Sequence, residues 1–269
     1  MQAVTADLKY LAPTSCQPVY RASTGGAEAS LDMEGEFEVH QVRIRNMRPD
    51  VSSLSLDREG FVLVQHKTAV SDFYDALQVK SIYEKEITSL LAGLTGAGRI
   101  VVFDHTLRSD DRDVRRTRKS REPAAVVHND YTGRSARKRL SEILPDEWEA
   151  LARHRFSILN VWRPVRNPVF TTPLTLSDAR SIAIRDLVPT ERRAQDRIGE
   201  LMLVRFNTSH RWCYFPQMQL NEILAFKTFD SSSDDLSRLS VHTSFADPGA
   251  LPDSPSRQSM ETRAFVFYA

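Results

Sequence analysis

The sequence predicts a mainly β fold with flanking helices around a double-stranded β-helix, the jelly-roll or cupin-like core. Three observations carry that expectation. Short apolar runs separated by turn residues recur throughout the second half of the chain. One long helical stretch sits among strands in the first 100 residues. No repeat or linker divides the 269 residues, and a 41% hydrophobic content suffices for one large core. A single domain over 1–269 is therefore expected, with 1–100 as a mixed α/β support and 101–269 as the jelly-roll core.

Taken in order, residues 36–45 alternate apolar and polar with a slip of one place at Gln41, which predicts a half-buried strand with a bulge. Asp57–Gly60 reads as a turn into the strand Phe61–Val64. From Ser71 to Gly93, apolar residues from Phe73 to Leu91 recur at helical spacing, with Ser71 as the expected N-cap and a break near Val79. Gly93, Gly96 and Gly98 follow this helix and precede the strand Arg99–Phe103. A dinucleotide loop needs the opposite order, so helix capping is expected. Residues 108–122 carry seven arginines or lysines against four acids, which reads as a solvated, mobile loop able to cover a site. Further strands are expected at 124–128, 156–162, 181–187, 201–206, 222–229, 239–243 and 258–268, with a helix at 146–154.

Composition narrows the function classes. The 36 basic and 35 acidic residues nearly cancel, so no polyanionic partner is indicated globally and nucleic acid is disfavoured. Cys16 and Cys213 fit no zinc or redox spacing and suggest ordinary thiols in a reducing compartment. With no apolar run of membrane length and no basic-then-apolar leader, a cytoplasmic protein is expected. The oligomeric state is open, a homodimer included.

The chemistry is expected at His128-Asn129-Asp130, His242 and Arg257-Gln258-Ser259. On a strand, His128 and Asp130 share a face while Asn129 points the other way. His242 follows the apolar run Glu222–Phe226 closely enough to return beside them. Two imidazoles and one carboxylate on one face of Fe(II) leave adjacent positions for a bidentate 2-keto acid and for O2. Arg257 offers a planar fork for a carboxylate and Ser259 a further hydrogen bond. Arg263, on the same parity, either holds the other carboxylate or pairs with an acid such as Glu261. Of the remaining histidines, His105 stands out as a rival ligand or, more simply, a core histidine bonded to Asp104.

Six stretches carry a family resemblance: Phe103–Arg108, Val127–Thr132, Asn160–Pro164, Glu222–Ser231, His242–Phe245 and Arg257–Arg263. From about Asp57 onward the chain resembles the CmcJ/AsaB-like hydroxylase/desaturase family of Fe(II)/2-oxoglutarate oxygenases in secondary metabolism. The resemblance implies iron ligation by His128, Asp130 and His242, and 2-oxoglutarate binding by Arg257 and Ser259. The family often has His-x-Asp-Gln-Thr where this chain has Tyr131. Tyr131, Trp162, Arg163, Phe170, Trp212 and Tyr214 are the expected pocket residues. The expected substrate is a small, largely uncharged secondary metabolite or precursor, hydroxylated, desaturated or otherwise oxidised, with release of succinate and CO2. Two alternatives stand beside this reading. One is an AlkB-type demethylase, suggested by the six-residue spacing of Arg257 and Arg263; the other is a jelly-roll binding protein without turnover.

Overall fold

A computed structural model describes residues 2–13, 17–30, 32–194, 197–232 and 239–268. Its elements run β1 (Ala3–Leu11), β2 (Val19–Arg21), β3 (Asp32–Glu34), β4 (Phe37–Asn46), β5 (Phe61–Gln65), α1 (Ala76–Gln78), α2 (Glu84–Thr95), β6 (Arg99–Ser109) and α3 (Arg112–Arg118). There follow β7 (His128–Asn129), α4 (Gly133–Ile143), α5 (Trp148–Leu151), β8 (Phe156–Pro164), β9 (Leu174–Ser177), β10 (Leu187–Arg193) and β11 (Ile198–Val204). The last strands are β12 (Trp212–Tyr214), β13 (Glu222–Asp230), β14 (His242–Ser244) and β15 (Gln258–Phe267).

Two sheets form the jelly-roll, one ordered β1-β4-β12-β9-β14-β7-β11-β10-β2-β3 and the other β5-β13-β8-β15-β6. Their inner faces meet in a core where Phe61, Leu63, Trp162, Leu224 and Phe226 of one sheet pack on Leu174, Leu176 and Cys213 of the other. The outer face of the smaller sheet is covered by α2, whose Ile87 and Leu91 pack on Leu159, Val161, Ala264 and Val266. Period-two alternation thus sorts β8: Leu159 and Val161 go to the helix, while Phe156, Ile158, Asn160 and Trp162 line the interior. One polar residue among four marks where the site lies.

Several local expectations are corrected. The first 100 residues are not a separate support, because β1 and β4 join the larger sheet and β5 the smaller. The bulge expected at Gln41 is absent: β4 pairs in unbroken register with β1, and the apparent slip is Val39, an apolar residue left exposed. Ser71 does not cap the helix; Asp75 does, accepting from the backbone N–H groups of Leu77 and Gln78. The expected break at Val79 is a π turn over Val79–Tyr83, and Gly96 ends α2 in the left-handed conformation, its N–H donating to Ala92.

Residues 108–122 are not one loop. Asp111 caps α3, and Arg121 lies beside Leu107 and Ser109 of β6 in a short bridge. Of the strand expected at 124–128 only His128 is one, and in place of a strand at 181–187 two 3₁₀ turns, Ala179–Ser181 and Ile184–Asp186, lead into β10 at Leu187. The amphipathic α4, with Ala136 and Leu140 buried against Phe265 and Phe267, was not anticipated. Cys213 is a buried free thiol, and Cys16 lies outside the described residues. No described helix is long and apolar enough to cross a membrane.

Candidate active site

β7 is only two residues long, yet it places the first histidine directly opposite the second: His128 and His242 are register partners across β7 and β14. Their rings lie 4.4 Å apart between centroids. Asp130 follows one residue beyond β7, its Oδ1 3.6 Å from Nε2 of His128. One nitrogen or oxygen from each of the three lies within 4.8 Å of the others, a spacing that a single metal ion can bridge. Asn129 turns from the cluster and donates to the carbonyls of Tyr131 and Thr228. Thr228 sits at the β13 bulge between Lys227 and Phe229, so this bond ties the short β7 to the opposite sheet.

The hydrogen bonds fix which atoms remain for a metal. Nδ1 of His128 is 2.7 Å from the Val126 carbonyl and Nδ1 of His242 is 3.0 Å from that of Ser240. A carbonyl only accepts, so each Nδ1 carries the proton and each Nε2 presents a lone pair. Nε2 of His242 is buried with no hydrogen-bond partner among the described residues, the kind of orphan a metal would satisfy. On Asp130, Oδ2 accepts from Nδ2 of Asn160 at 2.8 Å and from Nε of Arg263 at 2.9 Å, leaving Oδ1 as the single free ligand atom. The donor set, two neutral imidazoles and one carboxylate, suits a divalent first-row metal with open coordination positions.

Electrostatics agree with that donor set. Burial, reinforced by the neighbouring His242, pushes His128 down to about 3. Burial alone would raise Asp130, but Arg263, His242 and His128 outweigh it and hold the carboxyl well below its usual range. Arg263 loses to burial and gains more from Asp130, Glu261 and Asp104, so it stays charged.

A stability test follows for the metal-free protein. Between pH 6.5 and about 3 the unfolded chain protonates His128 and the folded one does not. Stability is therefore present above pH 6.5 and lost as the pH falls, with a slope approaching about 1.4 kcal/mol per pH unit from this group. Thermal melts of His128→Gln should show a shallower acid slope than the parent. Parallel slopes would mean that His128 is not held neutral.

Arg257 is buried beneath the sheet mouth, its guanidinium 5.2 Å over the Trp162 ring. Nε donates to Ser259 Oγ at 3.1 Å and Nη1 to the Thr172 carbonyl at 2.7 Å. No described residue accepts from Nη2, and no carboxylate pairs with the group. Burial, followed by the repulsion of Arg108, lowers its pKa to about 10. Arg263, by contrast, has its fork filled by Asp130, Asp104, Thr106 and Glu261. Of its two expected roles, the structure places it among acids.

A family model described as an oxidoreductase/YMDC permease-like domain matches residues 8–267. The hydroxylase/desaturase CTB9 of Cercospora beticola is 33% identical over 88% of this chain and 79% of its own length. The chain belongs to the CmcJ/AsaB-like hydroxylase/desaturase family. It is also similar to the alpha-ketoglutarate-dependent dioxygenase phiK of a fungal species, at 28% identity over 98% of this chain and 96% of that one. Among solved structures, the iron and alpha-ketoglutarate-dependent endoperoxidase NvfI superposes with a TM-score of 0.86 at 25% identity, covering all of this chain and 99% of the other.

In this family member a cavity of about 520 Å³ opens over His128 and Asp130, and Tyr131 lines it. The five other expected pocket residues are elsewhere. Trp212 is buried on the other face of its sheet and donates to Tyr10 at 2.7 Å. Arg163 points to the helix side, over Phe73 and Tyr83. Phe170 and Tyr214 line a separate hollow with Pro216 and Leu251. Trp162 faces inward but lies under Arg257 and does not line the cavity.

His105 bonds to Thr262 and Glu84, not to Asp104, because its strand parity turns it outward. Sequence reasoning missed the roles of Asn160 and Asp104, the first bonded to Asp130 and the second to Arg263. It also missed the cavity's cationic lining, which replaces the apolar wall that an uncharged metabolite calls for.

Proposed function

We propose that this chain is an Fe(II)/2-oxoglutarate-dependent oxygenase that oxidises a C–H bond of a small metabolite, with O2 as oxidant and succinate and CO2 as co-products. The observation that carries the reading is the convergence of His128, His242 and Asp130, with the lone pair on Nε2 of His242 unclaimed. In this reading Nε2 of each histidine and Oδ1 of Asp130 hold the iron. Arg257, with Nη2 free and Ser259 beside it, takes the distal carboxylate of 2-oxoglutarate. When bound, iron and 2-oxoglutarate together supply an oxidant strong enough to remove hydrogen from carbon.

The chain's own residues do the positioning. Asn160 and Arg263 fix the Asp130 carboxylate by filling Oδ2, which leaves Oδ1 as the atom that would hold a metal. Trp162 gives the Arg257 guanidinium a flat apolar support and keeps water from one of its faces. Arg108, buried beside Ser259 in register and bonded to the Glu122 carbonyl, adds positive charge between the co-substrate end and the cavity. The names of the relatives CTB9, phiK and NvfI, which specify hydroxylation or desaturation, alpha-ketoglutarate dependence and endoperoxidation, support the reaction class and leave its outcome to the substrate's placement.

The test is succinate release from 2-oxoglutarate under air, with and without Fe(II), across a panel of terpenoid, amino-acid-derived and methylated nucleic-acid substrates. Iron-dependent release stimulated by a small molecule is expected. Release stimulated only by methylated nucleic acid would favour the demethylase alternative. Fe(II) binding without any release would favour a binding protein.

A further inference from the structure

The cavity over His128 concentrates positive charge that the chain as a whole does not have. Nine arginines and lysines line it against four carboxylates, whereas the full sequence carries a net charge of only +1. All four carboxylates are already engaged. Asp104 and Asp130 pair with Arg263, Glu142 with Arg139 and its neighbours, and Glu200 with Arg134 and Thr132.

Two of the cations stand apart. Arg121 comes from the segment bridged to β6 and Arg192 from β10, so they approach the cavity from the two different sheets. Both are partly buried, and neither has a carboxylate within salt-bridge distance among the described residues. Nη1 of Arg192 is buried without any hydrogen-bond partner among those residues, and its guanidinium lies 5.9 Å over the ring of Tyr20. Burial lowers both pKa values, and like charges add to it: Arg108 acts on Arg121, while Arg197, Arg263 and Arg121 act on Arg192. Two partly buried guanidiniums without a carboxylate partner, facing one cavity, destabilise the empty protein and are relieved by an anion.

We propose that Arg121 and Arg192 form the substrate anchor, binding a small molecule through an oxyanionic group, a carboxylate or a phosphate ester, while its carbon skeleton extends toward His128 and Asp130. This rests on the oxygenase reading for what happens to the skeleton, but the anion site stands on its own residues. Each planar fork pairs two oxygens, so the site accepts either one shared oxyanion or two carboxylates on one molecule. A volume of about 520 Å³ suits a metabolite of moderate size. The basic stretch at 108–122 thereby acquires a role: its exposed Arg118 and Lys119 form the cationic rim through which an anion enters.

The experiment uses the full chain loaded with Ni(II) and 2-oxoglutarate, which fills the metal and co-substrate positions without turnover. Benzoate, phenyl phosphate and benzamide are then titrated calorimetrically. At least one anion should bind saturably with a Kd of about 1 mM or below, and neutral benzamide at least about tenfold more weakly. The tighter anion assigns carboxylate or phosphate. Arg121→Gln and Arg192→Gln should each weaken that anion by about tenfold or more, with Lys replacements retaining part of the affinity. The double variant should melt close to the parent, since it removes repulsion and breaks no ion pair among the described residues, only the contact of Arg192 with the Tyr20 ring.

Equal binding of benzamide and the anions, no saturable binding of either anion, or unchanged affinity in both Gln variants would overturn the proposal. So would loss of anion binding in Arg257→Ala but not in the Arg121 variant, which would place the anion in the co-substrate position. A single-stranded oligonucleotide binding far more tightly, with steep salt dependence, would replace a metabolite by nucleic acid. Failure of the parent to bind 2-oxoglutarate in the presence of Ni(II) is a separate result. It would sink the oxygenase reading and leave the Arg121 and Arg192 comparison still readable.

Discussion

Asp130→Ala is expected to weaken divalent-metal binding by more than about 100-fold and to end iron-dependent succinate release. The magnitude follows from a comparison within the site. Residues that only orient a ligand typically cost about 10–100-fold in metal affinity when removed, and Asn160 and Arg263 are such residues here, both bonded to Oδ2 of Asp130. In the proposed site the carboxylate that they orient would contribute more, because Oδ1 would supply the one anionic ligand beside two imidazoles. Calorimetric titration of Co(II) should therefore rank the variants, with Asn160→Ala and Arg263→Gln intermediate and Asp130→Ala weakest. Arg263→Lys, which keeps the charge but loses the Nε–H, should recover part of the loss. Parent-like metal affinity in Asp130→Ala would remove this residue from the ligand set. A larger loss in Arg263→Gln than in Asp130→Ala would mean that Arg263 acts through something other than the carboxylate.

The same Oδ2 contacts show why part of the site was legible in the sequence and part was not. His128, Asp130 and His242 could be read because parity puts i and i+2 on one face and because a strand followed by a turn returns the chain to its neighbour. Arg257, Ser259, Glu261 and Arg263 could be read for the same reason: the last three lie on the inner face of β15, and Arg257, just before that strand, bonds to Ser259. Asn160 was visible only as one polar residue in an apolar run, and its meaning depends on the pairing of β8 with β15, where it is the register partner of Arg263. That pairing joins residues about 100 positions apart, and no local pattern encodes it.

The pocket was misjudged for a related reason. Aromatic residues near the site invite a reading as lining, but a large ring in a sheet protein is most often core, as Trp212 and Trp162 are. The cationic wall includes Arg121, in a stretch that reads as solvated loop, and Arg192, in a stretch between two expected strands. β1 is equally readable, since Val4, Ala6, Leu8 and Tyr10 alternate with exposed residues.

Arg257→Ala is expected to weaken 2-oxoglutarate binding by roughly 2–4 kcal/mol, about 30-fold to 1000-fold, in the metal-loaded protein. The upper part of that range is favoured by three features of the site. The guanidinium is buried, so a charged partner there is poorly screened by water. It is held in place before ligand arrives, by Ser259, the Thr172 carbonyl and the Trp162 ring, so little ordering is left to be done on binding. And no carboxylate among the described residues is paired with it, so no ion pair has to be given up, which would otherwise offset the gain.

Removing the side chain also leaves Trp162 without its cover, so thermal melts must show the variant folded before its affinity is read. Arg257→Lys provides the second measurement: an ammonium restores the charge but cannot match two carboxylate oxygens in one plane, so only part of the affinity should return. Metal affinity in the absence of 2-oxoglutarate should stay at the parent value in both variants, because neither residue touches His128, His242 or Asp130. If 2-oxoglutarate binds Arg257→Ala as tightly as the parent, the distal carboxylate is held elsewhere. Arg108, inward-facing and register partner of Ser259, would then be the residue to substitute next.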